Sequence, residues 1–123
     1  MNLIIPVGLG GAVGSIARYL VGLGVTRTTT LAFPLATLIV NVLGSLAIGL
    51  LYAWLVERSG RPELRAFLMV GVLGGFTTFS SFSLETVGLM MQAQYTKAVI
   101  NVVASLVLCL FGTMIGMAIG RNT

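Results

Sequence analysis

From Leu31 to Val56 the chain reads LAFPLATLIVNVLGSLAIGLLYAWLV, 26 residues without a single charge. A hydrocarbon core about 30 Å thick is crossed by a helix of about 20 mostly apolar residues, so this segment predicts a membrane span. Three further segments meet the same requirement: Leu3 to Val25, whose one charge is Arg18, then Ala66 to Gln92 and Thr96 to Gly120. Between the second and third spans, ERSGRPELR (Glu57 to Arg65) gathers charges around a glycine and a proline, which marks an aqueous turn. The expected fold is an all-α integral membrane protein of four transmembrane helices, a single domain over residues 1–123 with no linker. Charged residues make up 8% of the chain, against roughly 25% in soluble domains. The N-terminal MNLIIPVGLGG lacks a basic region and a small-residue cleavage site, so it is not read as a removed signal.

Several classes of function lose their footing on residue types alone. There is no histidine, and the one cysteine, Cys109, has no partner for an intrachain disulfide. An enzyme is therefore not expected. No basic-aromatic cluster of the nucleic-acid kind appears, and no nucleotide-binding motif points to a pump. The net charge of +4 suits anionic lipid or an anionic permeant.

Even-numbered spans put both ends of the chain on one side of the bilayer. That side carries Arg58, Arg61, Arg65 and Arg121; the other carries Arg27 and Lys97, with Arg18 near that end of the first span. Lys/Arg excess sets orientation, and four against three is hardly an excess. Such a chain is open to insertion both ways, with oppositely oriented copies pairing as an antiparallel dimer. If Arg18 is excluded, four against two gives a single fixed orientation.

Polar side chains within spans face protein or water-filled space and mark functional positions by default. Thr37, Asn41 and Ser45 recur at four-residue spacing and lie on one helical face; Asn101, Ser105, Cys109 and Thr113 do the same in the fourth span. Each stripe alone is compatible with simple interhelical hydrogen bonding. Gly10 with Gly14, Gly71 with Gly75, and Gly112, Gly116 and Gly120 form small-xxx-small faces, expected to be packing surfaces.

The third span holds GGFTTFSSFSLE, Gly74 to Glu85. Two adjacent glycines weaken a helix by about 1 kcal/mol each relative to alanine, and the hydroxyls that follow can bond freed backbone groups. The third helix is therefore expected to break at its middle, where backbone can line a cavity. Phe76, Phe79 and Phe82 follow at three-residue spacing, which would place their rings on one face. A ring edge carries partial positive charge, so edges, hydroxyls and an amide such as Asn41 can hold a small anion weakly enough to release it.

These segments resemble the Fluc family of bacterial fluoride channels, also called CrcB. The resemblance spans essentially the whole chain and rests on GLGGAVGSIARY, NVLGSLAIG and above all GGFTTFSSFS. It implies antiparallel, dual-topology homodimers in the bacterial inner membrane, with two fluoride pores per dimer along the subunit interface. Family positions that coordinate fluoride by ring edges match Phe79 and Phe82, and the pore asparagine matches Asn41. The vestibule arginine matches Arg18, the hydroxyls match Ser80 and Ser81, the carboxylate matches Glu85, and the polar track extends to Thr37, Asn101 and Ser105. A structural sodium ion at the dimer centre would be held by backbone carbonyls of Gly74 and Thr77. Cys109 departs from the hydroxyl expected at that level of the track. Glu85 has a second reading, as a structural partner of Arg18 or Lys97 with no part in transport.

Two rival functions remain. A small multidrug-resistance-type transporter would need a membrane-embedded carboxylate in the first span, which instead carries Arg18. A non-transporting membrane assembly subunit fits the glycine faces but gains nothing from a broken helix.

Overall fold

A computed structural model describes residues 2–123, and among them every regular element is helical. Four helices are long and apolar enough to cross a membrane: α1 (Ile4–Thr28), α2 (Leu35–Arg58), α3 (Pro62–Met91) and α4 (Tyr95–Asn122). The two largest departures from the hydropathy reading both involve proline. Residues 31–34 stay outside α2, since a residue preceding proline is disfavoured in helical geometry. Pro34 (φ −73°, ψ 62°) instead makes an inverse γ-turn, with Leu35 N–H donating to Phe33 O at 2.7 Å. Conversely, α3 starts earlier than its apolar run, because Pro62 occupies the first helical turn, where its missing N–H costs nothing.

The bundle is assembled from two closely packed helix pairs. α1 lies against the first part of α3, and α2 lies against α4. Glycine makes both approaches possible. A Cβ on Gly14 would land on the Val72 carbonyl oxygen, and one on Gly75 would sit 2.6 Å from Gly11 O. Likewise Gly49 faces the Thr113 carbonyl and Gly116 the Leu46 carbonyl. The small-xxx-small faces are thus packing surfaces, as expected.

The segment Tyr52–Ser59, which takes in the end of α2, and the segment Ala66–Leu73 of α3 are wound more widely, as π-helix. The first closes with Gly60 N–H donating to Leu55 O at 3.2 Å, and Gly60 (φ 56°, ψ 33°) takes the left-handed conformation that stops the helix. At this end Arg121 grips Glu57 with contacts of 2.7 to 3.2 Å, while Arg58 donates to Arg121 O at 2.7 Å. At the opposite end Lys97 donates to Ala32 O at 3.2 Å. The outward faces are apolar: Ile4, Leu9, Val13, Ile16 and Leu20 on α1 and Leu106, Leu110, Phe111 and Met114 on α4 are all exposed, the surface expected of a protein solvated by lipid.

α3 ends in a Schellman arrangement, with Gln94 N–H donating to Leu89 O at 2.8 Å and Ala93 N–H to Met90 O at 3.0 Å. Ala93 holds the left-handed position (φ 58°) where glycine is the usual residue. Left-handed geometry costs an L-residue roughly 1–2 kcal/mol. Ala93→Gly should therefore raise the thermal unfolding midpoint in detergent, by an amount corresponding to up to about 1 kcal/mol; a lower midpoint would show that the turn needs the methyl group.

Candidate functional site

Within α3 the helical segments Gly74–Phe76 and Phe79–Met91 are separated by Thr77 (φ −87°, ψ 156°) and Thr78 (φ −152°, ψ 115°), both with extended backbone. Several of the polar groups freed there find a partner. Thr77 turns back on the preceding segment, its N–H and its hydroxyl donating to Leu73 O at 3.0 and 2.8 Å. Thr78 is the N-cap of the following helix, its hydroxyl accepting from Ser81 N–H at 3.1 Å. The Thr78 peptide groups are taken up by α2: Thr78 N–H donates to Asn41 Oδ1 at 2.8 Å, and Asn41 Nδ2 donates to Thr78 O at 3.0 Å. One side-chain amide thereby does the work of a paired strand. Leaving a buried backbone donor or acceptor unmet costs about 1–3 kcal/mol, so Asn41 offsets much of the cost of interrupting a helix in an apolar medium.

The glycines before the interruption have different tasks from the one their weak helix propensity suggests. Gly74 (φ −61°, ψ −39°) is helical and exposed, with open space where a Cβ would stand. Gly75 is small because Gly11 and Ser15 of α1 lie against it. Its carbonyl accepts from Arg18 Nε at 3.0 Å, so Arg18 ties α1 to the interruption.

The change of direction carries residues 79–91 away from α1 and onto α2 and α4. It also corrects the expected three-ring face. Phe79 and Phe82 stay together, ring centroids 5.3 Å apart and planes at 44°, but Phe76 lies on the other side of two extended residues. Its ring sits near Gly44 instead, because helical spacing does not carry across non-helical backbone.

A cavity of about 360 Å³ opens beside the interruption between α2, α3 and α4. Asn41 and Ser45, Gly74, Thr77 and Thr78, both Phe79 and Phe82, and Ser105 and Cys109 line it, among aliphatic side chains. The Ser105 hydroxyl is buried with no hydrogen-bond partner among the described residues. Phe79 lines the cavity and is at the same time 74% exposed. Ser80 and Ser81 are not among the lining residues: the Ser80 hydroxyl lies 3.2 Å from that of Thr78, and Ser81 is engaged through the cap.

One turn along α2 from Asn41, Thr37 donates to Glu85 Oε1 at 2.7 Å, while Glu85 Oε2 is buried without a partner among the described residues. Both residues border a second cavity of about 210 Å³ with Thr26, Thr29, Phe33 and Pro34. Among the described residues the one ion pair is Arg121 with Glu57; Glu85 is held by Thr37, while Arg18 and Lys97 donate to Gly75 O and Ala32 O. Asn101, 2% exposed, belongs to a separate relay, donating to the Thr86 hydroxyl at 2.9 Å, which in turn donates to Phe82 O at 2.7 Å. Sequence reasoning missed Thr86; its signal was a mid-helix threonine four residues after Phe82, a spacing that permits bonding back to the carbonyl.

No cluster of acidic, histidine or cysteine side chains that could hold a metal occurs among the described residues. The carbonyls of Gly74 and Thr77, however, accept no hydrogen bond from outside the helices' own ladders. Oxygen donors of this kind suit a hard cation, so these two positions fit a shared alkali ion if a second copy adds further oxygens.

A family model described as CrcB-like protein, Camphor Resistance (CrcB), matches residues 5–117. A protein of Rhizobium meliloti named fluoride-specific ion channel FluC is 46% identical over 122 residues, 98% of this chain and 98% of its own length. Proteins of the same name from Ruminiclostridium cellulolyticum and Roseobacter denitrificans are 44% and 46% identical, over 97% and 99% of this chain and 92% and 98% of their own lengths.

Proposed function

Because the chain belongs to the CrcB family, with relatives named as ion channels rather than enzymes and four helices fit to cross a membrane, we propose that it is a passive, fluoride-selective channel of the bacterial inner membrane. The observation that carries this reading is the cavity at the interruption of α3, where two phenylalanine rings, an asparagine amide and an unpartnered serine hydroxyl converge. Fluoride is small and firmly hydrated, so entry requires donors that replace water. The rings of Phe79 and Phe82 supply partial positive charge at their edges, Asn41 and Ser105 supply N–H and O–H, and no full positive charge is present to trap the ion. Fluoride that enters a cell as the neutral acid dissociates inside; a leak passing fluoride alone would drain it.

The working unit is an antiparallel homodimer with two pores. Support comes from the near-even division of Lys/Arg between the two faces and from the incomplete cavity wall at exposed Phe79 and Gly74. Gly74 and Thr77 carbonyls from both copies would hold a sodium ion, which would bind the two interrupted helices together. Arg18 draws anions toward the path, and Thr37, Ser80, Ser81 and Glu85 border its approach. A drug transporter is disfavoured because α1 has no carboxylate.

Purified protein in liposomes should release fluoride rapidly in the presence of valinomycin, with no chloride release, measured with ion-selective electrodes. Folded protein that releases neither ion, or both alike, would defeat the proposal.

A further inference from the structure

We propose that the Thr78 peptide group is a positioning element for anion passage: it locks the Asn41 amide so that its remaining N–H is a fixed donor in the cavity wall. The inference rests on the fluoride-channel reading and goes beyond it by assigning a role to backbone rather than to a lining side chain.

A side-chain amide has an oxygen that only accepts and a nitrogen that only donates, and the two ends are similar in size and shape. An asparagine with weak partners can therefore rotate and present either end to a neighbouring ion. Asn41 does not have this freedom. Thr78 N–H can only donate and Thr78 O can only accept, and both meet the same amide, at 2.8 and 3.0 Å. Rotating the amide by half a turn would set N–H against N–H and oxygen against oxygen. One orientation alone satisfies both bonds.

Nδ2 carries two protons. One goes to Thr78 O; the other has no hydrogen-bond partner among the described residues, and Asn41 lines the cavity. Thr78 is itself immobilised, because its hydroxyl caps Ser81 N–H at 3.1 Å and Asn41 occupies both of its peptide groups. A donor held in place before the ion arrives loses nothing to reorientation when it binds. The same clamp fixes the start of the helix that bears Phe79 and Phe82, so the amide donor and the ring edges are set in register by one residue's backbone.

The test removes the donor half of the clamp while keeping every side chain. Thr78 is replaced by its α-hydroxy analogue through nonsense suppression, turning the peptide N–H into an ester oxygen that cannot donate. Expected is fluoride efflux slowed at least tenfold in liposomes, with the oligomeric state on size exclusion unchanged and no gain in chloride efflux. Wild-type fluoride efflux from the ester protein would overturn the inference, as would loss of fluoride passage only together with loss of the assembly. Amide hydrogen exchange on the unmodified backbone provides a second measurement should the ester protein fail to fold. The Thr78 amide should exchange slowly in the wild type and at least tenfold faster in Asn41→Ala; equal rates would overturn the lock. A wild-type protein that passes no fluoride would defeat the channel reading, while the exchange comparison would still decide whether the lock exists.

Discussion

Liposomes reconstituted with Phe82→Ile protein should retain their fluoride, with efflux reduced more than tenfold, equivalent to a barrier increase of at least about 1.4 kcal/mol, while the protein remains folded and assembled. Isoleucine keeps an apolar side chain at the cavity wall and so preserves most of the burial. It has no quadrupole, however, and so no partial positive edge to offer an anion. The ring it replaces lies 5.3 Å from that of Phe79, in a cavity that otherwise offers fluoride only neutral donors. Removing one of two ring edges should therefore be felt in passage rather than in stability. Fluoride efflux at the wild-type rate would remove ring-edge coordination from the mechanism, and a protein that no longer assembles would assign Phe82 to packing.

The second large effect falls on stability. Gly14→Val should destabilise the protein by about 3 kcal/mol, seen as a lowered unfolding midpoint in detergent. The new side chain would meet backbone, not flexible atoms: the Val72 carbonyl oxygen directly, the Val72 carbonyl carbon at 2.8 Å and Phe76 N at 2.9 Å. Neither helix can yield locally, so α1 must withdraw from α3. That withdrawal would also strain the bond from Arg18 to Gly75 O. Gly24→Ala is the matching control. Nothing lies within 4 Å of a Cβ there, and exchanging a helical glycine for alanine should stabilise by up to about 1 kcal/mol. Equal loss in both variants would mean that the glycine face of α1 is not a packing surface.

The number of spans and the glycine faces were legible in the sequence, because each depends on local chemistry, whereas Asn41, Phe79 and Phe82 were grouped only by what the family resemblance implied. Apolar length determines which segments can enter a bilayer, and four-residue spacing puts Thr37, Asn41 and Ser45 on one face whatever lies opposite. Even the departures at Pro34 and Pro62 have local causes, readable from proline's restrictions on its neighbours. The pairings across helices were not legible. Asn41 bonds a residue 37 positions away, Thr37 one 48 positions away and Arg18 one 57 positions away. Spacing along a chain carries no information about which faces of different helices meet. That choice was made by the packing of α1 on α3 and α2 on α4, where only glycine lets backbones approach closely. The extended Thr77 and Thr78 then swing the end of α3 from one pair to the other, which separates Phe76 from Phe79 and Phe82 and gives Glu85 the hydroxyl of Thr37 rather than a cation. By itself the sequence determined what must be buried in lipid and which polar groups were present. Only the tertiary structure decided which of them satisfy one another and which, like the Ser105 hydroxyl, find no partner among the described residues.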